Sequence, residues 1–211
     1  NGGKKVKPIL INRIQDRRGK TIYNSDKRMC IGCDRFSENE KDLPKIKNNY
    51  KQVMSEETAY QINSILEGVV RRGTGKKLKD MGVPLAGKTG TTNNNFDAWF
   101  IGFSSNLVVG VYVGFDNPKT LGKYETGSKA ALPIFKNFIR EALYKEDFKD
   151  FPIPKNIYFA PINYDTGRKT SFNDPKAIIE AFKFDGIKKI ENDNFDINTN
   201  YDRMIKFRQF Y

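Results

Sequence analysis

Lys88, Thr89, Thr91 and Thr92 lie near the middle of the 211-residue chain, interrupted by Gly90 and preceded by Gly87. An ammonium among hydroxyls, on a backbone that glycines leave uncovered, suits an anion, and the spacing permits two. Joined to the residues before them, residues 82–89 spell GxxxxGK[ST], the loop that cradles nucleotide phosphates. Joined to the residues after them, residues 84–92 form an extended strand. Two-residue alternation then puts Lys88 and Gly90 on one face, where the ammonium can hold a carboxylate by a charge-assisted contact.

The elements needed to position the lysine separate these readings. A phosphate loop requires a buried strand before it and a helix N-terminus after it. Residues 71–81 are basic and broken by Gly73 and Gly75, so they are a poor buried strand. Residues 90–95 contain Gly, Thr and three consecutive Asn, which disfavour helix and favour turns. Pro84 also removes a backbone donor from the supposed loop. The strand reading meets no such obstacle. Residues 97–104 and 107–115 are aromatic and β-branched, with Ser105 and Asn106 as a tight turn, which predicts an antiparallel meander. Residues 132–145 carry Leu132, Phe135, Ile139, Ala142 and Leu143 at helical spacing, so a helix is expected to pack on that sheet.

With these residues in place, the chain resembles the C-terminal half of the transpeptidase domain of class A penicillin-binding proteins, the bifunctional peptidoglycan synthases. The resemblance rests on Leu66-Glu67-Gly68-Val69-Val70 with Gly73-Thr74, on residues 86–92, and on Asp97-Ala98-Trp99-Phe100. It continues through Leu107 to Val111, Val113-Gly114, Asp116-Asn117-Pro118, Thr126-Gly127 and Ala131-Leu132-Pro133-Ile134-Phe135. It covers about residues 1–166 and weakens through Ile179 to Lys183.

The resemblance implies an α+β fold, an antiparallel sheet with helices packed on it, and a serine D,D-transpeptidase as the activity. Lys88 would be the catalytic lysine of the Lys-Thr-Gly strand, facing a serine nucleophile. Thr89, Gly90, Thr91 and Thr92 would bind substrate, and the Thr91 backbone N–H would be one of two oxyanion donors. Strict alternation turns the hydroxyls of Thr89 and Thr91 away from Lys88, so their role follows from the resemblance and not from spacing. The implied partners are peptidoglycan stem peptides ending in D-Ala-D-Ala, with β-lactams as inhibitors. No cofactor, metal or nucleic acid is expected. The expected location is the periplasmic face of the bacterial inner membrane, with any anchor upstream. Asp97, Ala98, Trp99 and Phe100 read as structural core, and Gly110 and Gly114 as marks of close strand packing.

The chemistry also needs a Ser-x-x-Lys pair, so that nucleophile and base share one helix face. No serine of the chain is followed three positions later by lysine. The sequence opens on Asn1, and the expectation is a fragment of a longer protein that supplies the nucleophile and a glycosyltransferase domain. A nucleotide-binding module and a non-catalytic envelope-binding protein are the alternatives.

Composition sets outer bounds. Lys plus Arg number 37 against 25 Asp plus Glu, a net charge of +12, which suits anionic surroundings and is met equally by a lysine-rich solvated surface. No stretch approaches the ~20 apolar residues of a membrane span. Cys30 and Cys33 form a lone Cys-x-x-Cys in a charged loop. A local disulfide, two thiols or half of a shared zinc site fit it, and an oxidising periplasm favours the disulfide.

The remaining pattern predicts a hairpin at residues 8–15 and 20–23 around Asp16-Arg17-Arg18-Gly19, within a polar excursion over 8–50. A helix comes after Ser55, with Ile62, Ile65, Leu66 and Val69 at helical spacing and Gly73 and Gly75 ending it. A second small hairpin is expected from 157–162 and 165–169. The expected organisation is transpeptidase residues 1–148, a small β-rich extension 149–185 and a disordered tail 186–211.

Overall fold

The computed structural model describes residues 2–31, 45–47, 50–144 and 147–184. They form two units, divided between Ser55 and Glu56. The predicted tail over 186–211 lies outside the described residues, as do Cys33 and residues 32–44 and 48–49 of the polar excursion.

In the first unit, β1 (Arg13–Gln15) and β2 (Thr21–Asn24) pair antiparallel, as the sequence predicts. The Asp16 carboxylate accepts the N–H groups of Arg18 and Lys20 and so closes the turn. Gly19 takes φ +80°, a conformation open to glycine at little cost. A second pair, β3 (Met29–Ile31) with β4 (Lys45–Lys47), is antiparallel. Cys30 is disulfide-bonded. Asp26 is held down at about 2 by the Arg28 guanidinium and backbone N–H.

The second unit is built on the expected meander. Its strands are β5 (Ala86–Thr91), β6 (Ala98–Phe103) and β7 (Val108–Val113), antiparallel in the order β5-β6-β7. Ser104 and Leu107 close the β6–β7 turn, where the Ser104 N–H donates to the Leu107 carbonyl. Helix α2 (Leu132–Ala142) packs on one face of this sheet through Leu132, Phe135 and Ile139, all fully buried. Phe135 meets Phe100 edge-on at 4.8 Å. These residues share a core with Val70, Leu78 and Leu85.

Helix α1 (Glu56–Arg72) begins with Glu56 and Glu57 in its first turn and ends where Gly73 and Gly75 both donate to the Val69 carbonyl. Its buried face differs from the expected stripe. Ile62 and Ile65 are 46% and 61% exposed, whereas Tyr60, Ser64, Glu67, Gly68 and Val70 are buried. Small residues on that face permit close approach, and Arg71 satisfies the buried Glu67 carboxylate one turn on, at 3.2 Å.

The predicted second hairpin forms only in part, and its first strand has a longer partner. Strand β8 (Ile157–Asn163) pairs along its length with β9 (Ala177–Lys183), and the expected hairpin survives as a short turn, with a bridge from Lys169 to Ile162, the Asn163 N–H donating to the Arg168 carbonyl and the Gly167 N–H to the Asn163 carbonyl. The intervening loop is held by Asp174, which accepts from Asn163, Thr170 and the Lys176 N–H. Phe159, Ile179 and Ala181 join Tyr60 and Ala86 in one cluster, so α1 and β5 share a core with this strand pair. No helix of the described residues is long and apolar enough to cross a membrane.

Candidate active site

The site begins with the ladder parity of β5. The Thr92 N–H donates to the Asp97 carbonyl at 3.1 Å, so the even-numbered residues of this segment turn their backbone groups toward β6. By the two-residue period, Gly87, Thr89 and Thr91 turn theirs the other way, to the edge that no strand occupies among the described residues. Lys88 reports this edge directly, since its ammonium donates to the outward Thr89 carbonyl at 2.8 Å. The Thr91 N–H points from the same edge, two residues on.

Side chains divide between the two faces. Lys88 is exposed, and its face continues through its register neighbours Trp99, Ile101, Gly110 and Tyr112. Trp99 and Tyr112 lie with ring centroids 4.7 Å apart, and the Tyr112 hydroxyl donates to Asp97 at 2.9 Å. That bond to a carboxylate raises the Tyr112 phenol above its usual range. Trp99 is 41% exposed, so it belongs to the site face and corrects its reading as core, whereas Ala98 and Phe100 are fully buried as expected. Gly110 also departs from expectation. A Cβ there would meet only Ile101, at 3.9 Å, so no close packing demands glycine. At Gly114 the crowding is real and comes from the Tyr112 side chain and the Asp97 carboxylate, beyond the end of β7.

The opposite face holds the two threonine hydroxyls, as alternation requires. Thr89 Oγ1 is 2.9 Å from Thr74 Oγ1, and Lys88 Nζ reaches back to 3.5 Å from the same oxygen. Thr91 Oγ1 accepts the Gly127 N–H at 3.0 Å. Gly127 opens a π-helical turn (Gly127–Ala131) that runs into α2. A Cβ on Gly127 would stand 2.6 Å from the Gly90 carbonyl oxygen and closer still to that of Trp99. The turn therefore seats against the backbone of β5 and β6 where Gly90 and Trp99 pair. Thr92 Oγ1 accepts the Asp97 N–H at 2.8 Å, fixing the turn between β5 and β6.

The structure thus collects Lys88, Thr89, Gly90 and Thr91 on one strand, with Thr92 just beyond it. Thr74 and Gly127, for which the sequence suggested no role, join them through the threonine hydroxyls. Their only sequence signal was Gly73-Thr74 and Thr126-Gly127, threonines beside glycine among residues that carried the family resemblance. Residues 93–95 after β5 form a single 3-10 turn with Asn94 and Asn95 at positive φ, and a strand comes next. The helix N-terminus that a nucleotide phosphate requires is missing from this position, and the nucleotide reading is not favoured.

Residues 1–140 match the family described as penicillin binding protein transpeptidase domain. Penicillin-binding protein 1A of Rickettsia felis is 41% identical over 209 residues, covering 96% of this chain and 26% of that protein. The protein of the same name from Pseudomonas aeruginosa is 32% identical, covering 87% of the chain and 26% of its own length. A crystal structure of penicillin-binding protein 1A from Haemophilus influenzae superposes with a TM-score of 0.68 at 29% identity, covering 87% of this chain and 30% of that one. The chain thus spans about a quarter of the length of these curated relatives.

Proposed function

The chain belongs to the penicillin-binding protein transpeptidase family, and on that premise we propose that β5 is one wall of a D,D-transpeptidase site completed by a serine and its lysine base in a longer polypeptide. The observation that carries this reading is the open β5 edge, with the Thr91 N–H directed outward and the Lys88 ammonium lying along it.

The acyl donor is a stem peptide ending in D-Ala-D-Ala. Laid along β5, it would bond to outward backbone groups as an added strand does. Its terminal carboxylate would be drawn to the Lys88 ammonium by a charge-assisted contact. The serine hydroxyl, relieved of its proton by a neighbouring base, attacks the penultimate carbonyl carbon. The oxygen that becomes negative is met by the Thr91 N–H and by the serine's own N–H. Loss of one such donor costs ~3 kcal/mol of barrier in measured cases. The peptide C–N bond then breaks, D-alanine leaves with a proton, and an ester on serine remains. An amine of a second stem attacks that ester, forms the cross-link and frees the serine. A β-lactam would undergo the first half only, since its ring amide opens without releasing a leaving group.

Thr89 and Thr91 enter this reading differently from Lys88. Their hydroxyls lie on the sheet's other face, engaged by Thr74 and Gly127. Their service to substrate is through backbone groups, while the side chains hold the strand. On this reading the longer polypeptide works on the periplasmic face of the bacterial inner membrane.

Labelling the source cells with a fluorescent penicillin, and then mass spectrometry of the labelled bands, tests the proposal. Peptides of this chain should appear in a covalently labelled protein well above 24.3 kDa. Their confinement to an unlabelled band would overturn it and favour a non-catalytic envelope-binding role.

A further inference from the structure

The Thr74 hydroxyl sits 2.9 Å from Thr89 Oγ1, and the pair is brought together from elements fifteen residues apart. Thr74 is held by the turn that ends α1. The N–H groups of Gly73 and Gly75 both donate to the Val69 carbonyl, at 3.1 and 2.9 Å. A Cβ at Gly73 would stand 2.9 Å from Val69 Cα, and one at Gly75 would stand 3.1 Å from the Val69 oxygen. Two glycines therefore let the chain close tightly on the helix end, and the residue between them is delivered to the strand.

We infer that Thr74 is a positioning residue for the Lys88–Thr89 pair. This inference rests on the transpeptidase reading and adds to it a group outside the strand. An ammonium has three donors and no acceptor, so Thr89 Oγ1 can only accept where Lys88 Nζ approaches it. The Thr89 proton is then free to be donated to Thr74 Oγ1. A relay Lys88→Thr89→Thr74 results, in which each hydroxyl's orientation is set by its neighbour. With Thr74 Oγ1 removed, the Thr89 hydroxyl loses its acceptor and is free to rotate. Lys88 then keeps the Thr89 carbonyl, but its second acceptor, Thr89 Oγ1, is no longer held in one orientation, and its ammonium is less well placed to meet a carboxylate on the β5 edge.

Thr74→Val keeps the branched shape and removes the hydroxyl, and Thr74→Ser keeps the hydroxyl and removes the methyl. Both are made in the longer polypeptide and assayed with a fluorescent penicillin, resolving pre-covalent affinity from the acylation rate constant. Thr74→Val should lower the second-order acylation rate about tenfold, mainly through weaker pre-covalent binding, because the carboxylate contact forms before acylation. Thr74→Ser should restore most of that rate, and thermal midpoints should stay within about 2 °C. A wild-type rate in Thr74→Val, or a Thr74→Ser variant as slow as Thr74→Val, overturns the inference and leaves the site reading standing. A wild-type polypeptide that takes no label overturns the site reading and the inference with it.

Discussion

Gly127→Ala tests the seating of the π-helical turn against the site strand. The added methyl would stand 2.6 Å from the Gly90 oxygen and 3.2 Å from the Gly90 nitrogen, where ordinary contact begins near 3.4 Å. Both atoms are backbone, in the ladder pair Gly90–Trp99, so no side chain can rotate to make room. The turn must retreat or the strand must bow, by about 1 Å to restore normal contact. Overpacking of this kind costs typically 1–3 kcal/mol, and a clash with backbone belongs at the upper end. At roughly 2–4 °C per kcal/mol for a unit of this size, the midpoint should fall by about 10 °C.

The effect on chemistry should exceed the effect on folding. Gly127 also donates to Thr91 Oγ1, so its retreat releases the residue whose N–H faces the proposed oxyanion. A displacement near 1 Å at a reacting centre costs on the order of 10²-fold in rate. Gly110→Ala is the matched control. Its methyl meets only Ile101 at 3.9 Å, so stability should change by no more than about 0.5 kcal/mol. Circular-dichroism melts of this chain and penicillin acylation by the longer polypeptide would be measured for both variants. A Gly127→Ala variant that melts within about 1 °C of wild type and acylates at the same rate would refute the argument.

Lys88→Ala should leave the melt within about 0.5 kcal/mol, because the side chain is exposed, while acylation falls at least ~100-fold in a stopped-flow penicillin assay. Phe135→Ala, at the fully buried contact with Phe100, should cost about 3–5 kcal/mol in urea unfolding. The Tyr112 phenol, raised by its bond to Asp97, should ionise above the ordinary value near 10 in an ultraviolet titration, and Asp97→Ala should bring it back. A raised acid of this kind favours the fold below its unfolded pKa, and that contribution is lost as pH rises through the folded one. Asp174 has the opposite sign. Its carboxyl is lowered by Asn163, the Lys176 N–H and Thr170. Its contribution is therefore present above the unfolded value near 3.9 and lost as pH falls through the folded one, so Asp174→Ala should flatten the acid limb of a stability–pH curve.

The meander and α2 were legible in the sequence because their signals are local. Alternation separates Phe100 from Trp99, a two-residue turn links β6 to β7, and the apolar spacing of α2 matches the face it buries. The α1 face was illegible for the converse reason. Arg72 pairs with Glu180 across 108 residues, Gln61 bonds to the Ala181 carbonyl, and Glu67 is buried beside Arg71. Such partners make a polar face the inward one, and no periodicity in residues 56–72 announces them. The main partner of β8 was hidden similarly, since the nearer segment 165–169 has hairpin spelling and takes up a short turn, while the full-length partner lies beyond an Asp174-centred loop. Strand β5 was readable because Pro84 and the Gly, Thr and Asn residues around Lys88 favour an extended segment over a helix. Thr74 and Gly127 were not, because what they do is visible only once distant segments meet.

The parity of β5 explains why this strand needs such outside support. Its even residues are fixed by β6, but its odd residues present N–H and C=O groups to an edge that no strand of the described residues occupies. An edge strand is free to bow unless its side chains are tied down, and Gly90 offers none. The neighbours of Gly90 supply the ties instead, Thr89 to the Thr74 turn and Thr91 to the Gly127 turn. Both threonine side chains leave the strand on the face opposite the Lys88 side chain's origin, so they hold the strand while leaving its outward backbone groups to a substrate. A serine hydroxyl in place of either threonine keeps its tie, whereas valine loses it. Thr91→Val should therefore slow acylation more than Thr91→Ser does, by the same logic that separates the two substitutions at Thr74. Equal rates for the Thr91 pair would mean that β5 is held by its ladder to β6 alone.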